Sequence, residues 1–154
     1  MTNKSNSLLS YKPPRIAIVL MTISIGLWYF SPPHTLLHIP YKLIASVGII
    51  FGFTVMTWAW LQFRKSDTAV CPTAITSRIV TNGAYKYSQN PMYLGFLFML
   101  TGASFLMGTI PSMLAPIVFF IIIDKVFIPY EEEKLLSDFG DVYSKYQMVT
   151  RRWL

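Results

Sequence analysis

Two short polar clusters hold the residues of this chain best suited to chemistry. The first, Ser88-Gln89-Asn90-Pro91, stands directly against the apolar run that begins Met92-Tyr93-Leu94-Gly95. Asparagine is a favoured helix N-cap and proline a favoured first helical residue, so a helix is expected to begin sharply here. Its first turn presents unpaired backbone N–H groups and a partial positive charge, which together attract an anion. The Asn90 amide adds a side-chain donor; the plainer alternative is a good cap with no ligand. The second cluster is Glu131-Glu132-Glu133. Its carboxylates can accept hydroxyl hydrogen bonds or face a cation, or simply occupy a helix N-terminus, where acids are favourable.

Other reactive side chains are less well placed. His34 and His38 in "PPHTLLHIP" have an i, i+4 spacing, but they lie beside prolines with no third ligand nearby, so no metal site is expected. Cys71, the single cysteine, excludes an internal disulfide and has no histidine in its segment to activate it. Asp124 and Lys125 fall near the inner end of an apolar run. They either snorkel to the headgroups or, for Asp124, face a pocket, since acids within spans are functional suspects.

The elements that must position these clusters are strongly apolar. The 154 residues are 53% hydrophobic and 16% aromatic, and only 13% are charged, against about 25% in a soluble domain. Four runs stand out, at about 16–30, 43–63, 92–109 and 112–128. A span needs roughly 20 residues, with about 17 tolerated. The expected fold is all-α: a single integral membrane domain over residues 1–154, with four transmembrane helices. No small-residue cleavage site accompanies the run from Ile16, so the first segment is expected to stay as a signal anchor. The third and fourth runs are joined by Ile110-Pro111-Ser112 and must form a tight antiparallel hairpin.

Of the 13 Lys and Arg residues, all but Lys42 fall on the side shared by the N-terminus, the loop 64–91 and the C-terminus. That side is expected to be cytoplasmic. The net charge of +6 then reads as attraction to anionic membrane lipids; no motif for nucleic acid accompanies it. Gly48 and Gly52 form a G-x-x-x-G pair suited to close helix approach, or fall so by chance. In the tail, 129–154, Leu135, Phe139, Val142, Tyr146 and Val149 recur at helical spacing. They suggest a cytoplasmic amphipathic helix, lying in the headgroup plane or against the spans, and bent or ended at Gly140. The hairpin returns the Glu cluster to the side of Asn90. An anion site and carboxylates in one neighbourhood suit a zwitterionic ligand with a ribose.

Two segments, "TNGAYKYSQNPMYLG" and "PYEEEKLLSDFGDVYSKYQMVTRRWL", resemble the integral-membrane methyltransferases of the isoprenylcysteine carboxyl methyltransferase and phospholipid methyltransferase type, in a form like the bacterial branch. Gly83 and Tyr85, then Asn90, Pro91, Tyr93 and Gly95, then Glu131, Glu132, Leu135, Phe139, Gly140, Tyr143 and Tyr146 carry the likeness, over about residues 64–154. Gln89 stands where that family usually has Arg. Ile128-Pro129-Tyr130 lacks the Arg that carboxyl methyltransferases tend to carry before the acid pair, a cation that a carboxylate acceptor would want.

The resemblance implies an S-adenosylmethionine-dependent enzyme, and its bacterial form implies a bacterial inner membrane. The enzyme would methylate a lipid-like or small membrane-permeant acceptor at the cytoplasmic membrane face, largely by positioning and without a metal. It implies a cofactor site of Gly83, Tyr85, Asn90, Pro91, Tyr93, Leu94, Gly95, Glu131 and Glu132. The methionine carboxylate would lie at Asn90, and the ribose or ammonium at Glu131 or Glu132. Tyr85 and Tyr93 would pack the adenine or the sulfonium. Glu132 is the candidate base, and Arg151, with Arg152, would hold an anionic group of the acceptor or anchor the chain to headgroups. The rival readings are a non-catalytic four-helix scaffold and a small transporter. The latter needs a membrane-embedded carboxylate, and spans one to three have no charged residue beyond Arg15 at the boundary. The acceptor's identity and the oligomeric state have no signature in these residues.

Overall fold

The structure, a computed structural model, describes residues 13–30, 39–65 and 79–154; His34, His38 and Cys71 fall outside them. Helix α1 spans Pro13–Phe30 and α2 Ile39–Lys65. A 3-10 turn, Gly83–Lys86, precedes α3, Pro91–Met107. A continuous helix then runs from Ile110 to Phe139. It comprises α4 (Ile110–Ile122), a π turn (Ile123–Phe127) and α5 (Ile128–Phe139), and α6 follows at Asp141–Val149. Pro13–Phe30, Lys42–Lys65 and Ile110–Phe139 are long and apolar enough to cross a membrane, whereas α3 is a shorter apolar helix. Ile18, Leu43, Ile44 and Ile50 are each more than 60% exposed, as side chains facing lipid would be.

The last long helix is the first departure from expectation. It does not stop near Ile128 but continues through the acidic cluster. Pro129 has no N–H to donate. Just before it, the Ile128 N–H reaches back five residues to the Ile123 carbonyl, and this wider turn carries the helix past the proline. It also turns Ile123, Asp124 and Phe127 inward, all buried. The hairpin connection is likewise shorter than expected. Gly108 adopts the left-handed conformation at φ +67° and donates its N–H to the Ser104 carbonyl at 3.1 Å. Ile110-Pro111-Ser112 is therefore the first turn of α4.

Pro116 inside α4 leaves the Ser112 carbonyl without its helical donor. In an apolar environment that group needs a partner, and the Ser104 hydroxyl supplies one across the hairpin at 2.7 Å. The Ser112 hydroxyl in turn donates to the Thr109 carbonyl at 2.7 Å, so the turn is stapled from both sides.

Helices α2 and α3 meet backbone to backbone. A Cβ placed on Gly52 would lie 2.5 Å from the Gly95 carbonyl oxygen, and one on Gly95 would lie 2.7 Å from that of Gly52. At Gly102 the nearest atom would be the Ala45 carbonyl, at 2.6 Å. Small residues on both helices thus permit the close approach that dispersion needs within lipid. Gly48 contributes less, with its nearest neighbour at 4.0 Å.

Two apolar clusters frame the candidate site at one end of the bundle. Ala17 near the start of α1 packs with Tyr93, Phe127 and Ile128, and Trp153 lies against them. Ala59 and Phe63 at the end of α2 pack with Ala84, Tyr85 and Met92. The tail corrects the expected apolar stripe. Gly140, at φ +51°, turns the chain through the left-handed region and resets the helical phase. Tyr143 and Tyr146 consequently point inward, while Val142 and Val149 are 63% and 82% exposed.

Candidate functional site

Helix α3 starts where the sequence places it, with Pro91 buried in its first turn. Asn90, however, makes no side-chain cap. Its own N–H donates to the Ser88 hydroxyl at 3.1 Å, and its amide donates to the Arg152 carbonyl at 3.0 Å. The neighbours behave alike: the Gln89 N–H donates to the Arg151 carbonyl at 2.9 Å, the Gln89 side-chain amide to the Thr150 carbonyl, and the Ser88 hydroxyl to the Arg152 carbonyl at 3.4 Å. The polar turn therefore grips the backbone of the C-terminal segment. The physical need is clear, because α6 ends at Val149 and Thr150 is extended, so the carbonyls that follow have no helical partner. The Asn90 amide, expected to hold a ligand's carboxylate, thus gives one hydrogen bond to the chain itself.

The glutamates separate into different environments. Glu132 accepts two hydrogen bonds from the Arg152 guanidinium, at 2.9 Å from Nε and 2.7 Å from Nη2, the fork geometry that makes such pairs strong. The same guanidinium lies 3.6 Å from Asp124. Asp124 also accepts from the Trp153 indole N–H at 3.0 Å and pairs with Lys125 at 2.9 Å. The hydrogen bond to Glu132 holds the Arg152 proton more firmly than usual. Glu131 instead accepts from the Tyr93 hydroxyl. Glu133 is exposed.

Tyr85 is buried and stacks edge-on against Phe63 at 5.2 Å. Burial pushes its phenol well above the ordinary range, and its carbonyl accepts from the Tyr146 hydroxyl at 2.6 Å. Gly83 sits at φ +64°, and a Cβ there would lie 2.5 Å from the Gln62 side-chain amide, so the turn that presents Tyr85 requires glycine. Burial, and next the charge of Glu132, push Tyr143 up to about 12.

The fold thus brings Tyr85, Asn90, Tyr93, Glu131 and Glu132 to one end of the bundle. Leu94 is buried in α3. Gly95 stands at the α2 seam, where packing demands it. Arg151 is exposed and, among the described residues, joins the network through its carbonyl; the guanidinium that reaches the carboxylates belongs to Arg152. Asp124 and Trp153 complete the arrangement. An acid inside an apolar run was the available signal for Asp124, whereas nothing in the pattern pointed to Trp153.

Among known proteins, residues 41–142 match the phospholipid methyltransferase family. A stretch of 72 residues is 38% identical to the protein-S-isoprenylcysteine O-methyltransferase of Schizosaccharomyces pombe, covering 45% of this chain and 29% of that protein. Another of 63 residues is 38% identical to an uncharacterized protein of Haemophilus influenzae, covering 41% of this chain and all of that protein. The chain thus matches less than a third of the length of the named methyltransferase. No solved structure matches it.

Proposed function

The chain belongs to the phospholipid methyltransferase family, and from that premise we propose that it transfers a methyl group from S-adenosylmethionine to a lipid-like or small membrane-permeant acceptor. The observation that carries this reading is the Tyr93–Glu131 contact. It joins two polar clusters 38 residues apart in sequence, both inside the stretch that matches the family. Helix α3 counts as a fourth span in this proposal. The start of α1, the end of α2, the start of α3 and the α4–α5 junction then lie on the cytoplasmic side, where the basic residues gather.

The residues at this end fit such a donor. A carboxylate with a phenolic partner suits ribose hydroxyls or an ammonium, and the rings of Tyr85 and Tyr93 suit a flat base or a sulfonium. A sulfonium donor supplies an activated methyl carbon and departs as a neutral thioether. The chain's own part is then positioning. Glu131 and Tyr93 orient the donor, and the apolar surround of Ala17, Phe127 and Ile128 excludes water so that acceptor and methyl carbon stay in line. A lipid-like acceptor is supported by a groove of about 370 Å³ between α3 and α4, lined by Leu97, Phe105, Met113, Ile117 and Phe120 among others. Leu97 lies one helical turn from Tyr93 on the same face of α3.

Incubating the purified protein with methyl-labelled S-adenosylmethionine and a lipid extract should yield a labelled lipid. Calorimetry in detergent should show donor binding, which separates an enzyme from a scaffold. Tyr93→Phe removes a hydrogen bond to a carboxylate and should weaken that binding roughly tenfold or more. Unchanged affinity in this variant would remove the site assignment.

A further inference from the structure

We infer that the C-terminal segment Thr150–Trp153 is a strap built into the site, and that its Arg152 is a positioning residue that sets the two glutamates to different tasks. Glu132 anchors the strap, which leaves Glu131 as the carboxylate that meets the donor. The inference rests on the methyltransferase reading for what the donor is, but the strap itself stands on geometry alone.

Four elements hold the segment. The turn Ser88–Asn90 satisfies the carbonyls of Thr150, Arg151 and Arg152. On α5, both oxygens of Glu132 are engaged by the Arg152 fork. In the π turn, Asp124 receives the Trp153 indole N–H and faces the same guanidinium. On α4, Phe120 stacks against the Trp153 ring at 5.1 Å. An extended segment at a chain end ordinarily frays, since few contacts offset its conformational entropy. This one is held at every residue from Thr150 to Trp153.

The charges explain why Arg152 matters to Glu131, which it does not touch. Asp124 and Glu132 are carboxylates two helical turns apart, and Arg152 lies between them. Among the described residues, the exposed Lys125 pairs only with Asp124. Without the Arg152 side chain, Glu132 would stand next to Glu131 with its charge uncompensated by the strap, and the strap would lose its link to α5. Glu131 would then be displaced, and the donor's cationic or hydroxyl groups would lose their partner. A bidentate guanidinium is the group suited to this bridge; an ammonium cannot reproduce the fork.

The test uses the full chain in detergent micelles, with the variants Glu132→Ala, Arg152→Ala, Arg152→Lys and the double variant Glu132→Ala/Arg152→Ala. Without donor, the fall in Tm of the double variant should be no greater than that of the worse single variant, because each single variant already removes the Glu132–Arg152 pair. Tm losses that add would overturn the strap. With S-adenosylmethionine, Arg152→Ala should bind roughly tenfold more weakly or worse, with Arg152→Lys between it and wild type. Methylguanidinium should restore binding to Arg152→Ala but not to the double variant, which a merely structural loss would not show. Wild-type donor affinity in Arg152→Ala would overturn the positioning role. Should the alanine variant fail to fold, Arg152→Lys decides the question: wild-type affinity there counts against the fork. If the wild-type chain binds no donor, the methyltransferase reading and the division of tasks both fall, while the donor-free Tm comparison still decides whether the strap exists.

Discussion

Replacing Gly52 by alanine offers a sharp measure of how the bundle is held. The added Cβ would lie 2.5 Å from the Gly95 carbonyl oxygen and 2.9 Å from both the Met99 nitrogen and the Phe98 Cβ. Two of these neighbours are backbone atoms, which cannot swing aside. Restoring an ordinary contact means parting α2 from α3 by nearly an ångström, and a gap of roughly 0.5–1 Å forfeits a quarter to a half of each dispersion contact it opens. An inserted methyl in a packed site costs about 1–3 kcal/mol, and this site belongs at the upper end. Against that, alanine in place of glycine favours the helix by roughly 0.5–1 kcal/mol. Gly48 is the internal control: its Cβ would meet nothing closer than the Gly102 Cα at 4.0 Å, so only the propensity gain applies. Gly52→Ala should therefore be less stable than Gly48→Ala by about 2–3 kcal/mol. Reversible unfolding in mixed micelles with rising dodecyl sulfate, followed by circular dichroism, measures the difference. Because α3 also carries Tyr93, donor affinity should fall in Gly52→Ala and hold in Gly48→Ala. A gap below about 0.5 kcal/mol, within ordinary surface scatter, would refute the claim that backbone contact at this seam governs stability.

Two further outcomes follow from the hairpin and the tail. Ser104→Ala should cost about 1–2 kcal/mol, because the Ser112 carbonyl loses its donor. In a Pro116→Ala background, which returns the helical N–H, that cost should largely vanish; an equal loss in both backgrounds would refute the staple. The Tyr143 phenol is raised from 10.0 to about 12 in the folded chain. A raised folded-state value means that its contribution to stability is full below the ordinary tyrosine range and is lost as pH rises through about 12. Denaturation measured across that alkaline window should show a fall that Tyr143→Phe reduces.

Much of the architecture was legible because its causes are local. A run of apolar residues cannot stay in water, and Asn90-Pro91 marks a helix start wherever it occurs. The short distance between the third and fourth runs leaves only a hairpin, which returns the Glu cluster to the Asn90 side. The small residues Gly52 and Gly95 did become a helix seam, although only one of the two had been read as such. The tail was legible as helical but not in phase, because a single left-handed residue, Gly140, rotates everything after it. The length of the last helix was misjudged at Pro129, where a π turn carries the helix past a residue that usually interrupts one.

Composition, periodicity and the order of polar clusters were thus enough to make the described residues all-helical, with helices able to cross a membrane, and to bring the candidate chemistry to one end. These properties follow from hydrophobic transfer and helical spacing, which each stretch of sequence carries within itself. Which donor meets which acceptor was settled only by the folded chain. Asn90 turned to the Arg152 carbonyl, Glu132 was taken by the Arg152 fork, and Glu131 went to Tyr93. A hydrogen bond between residues some sixty positions apart depends on where the backbone finally lies, and adjacent glutamates look alike until a helix turns them to different neighbours.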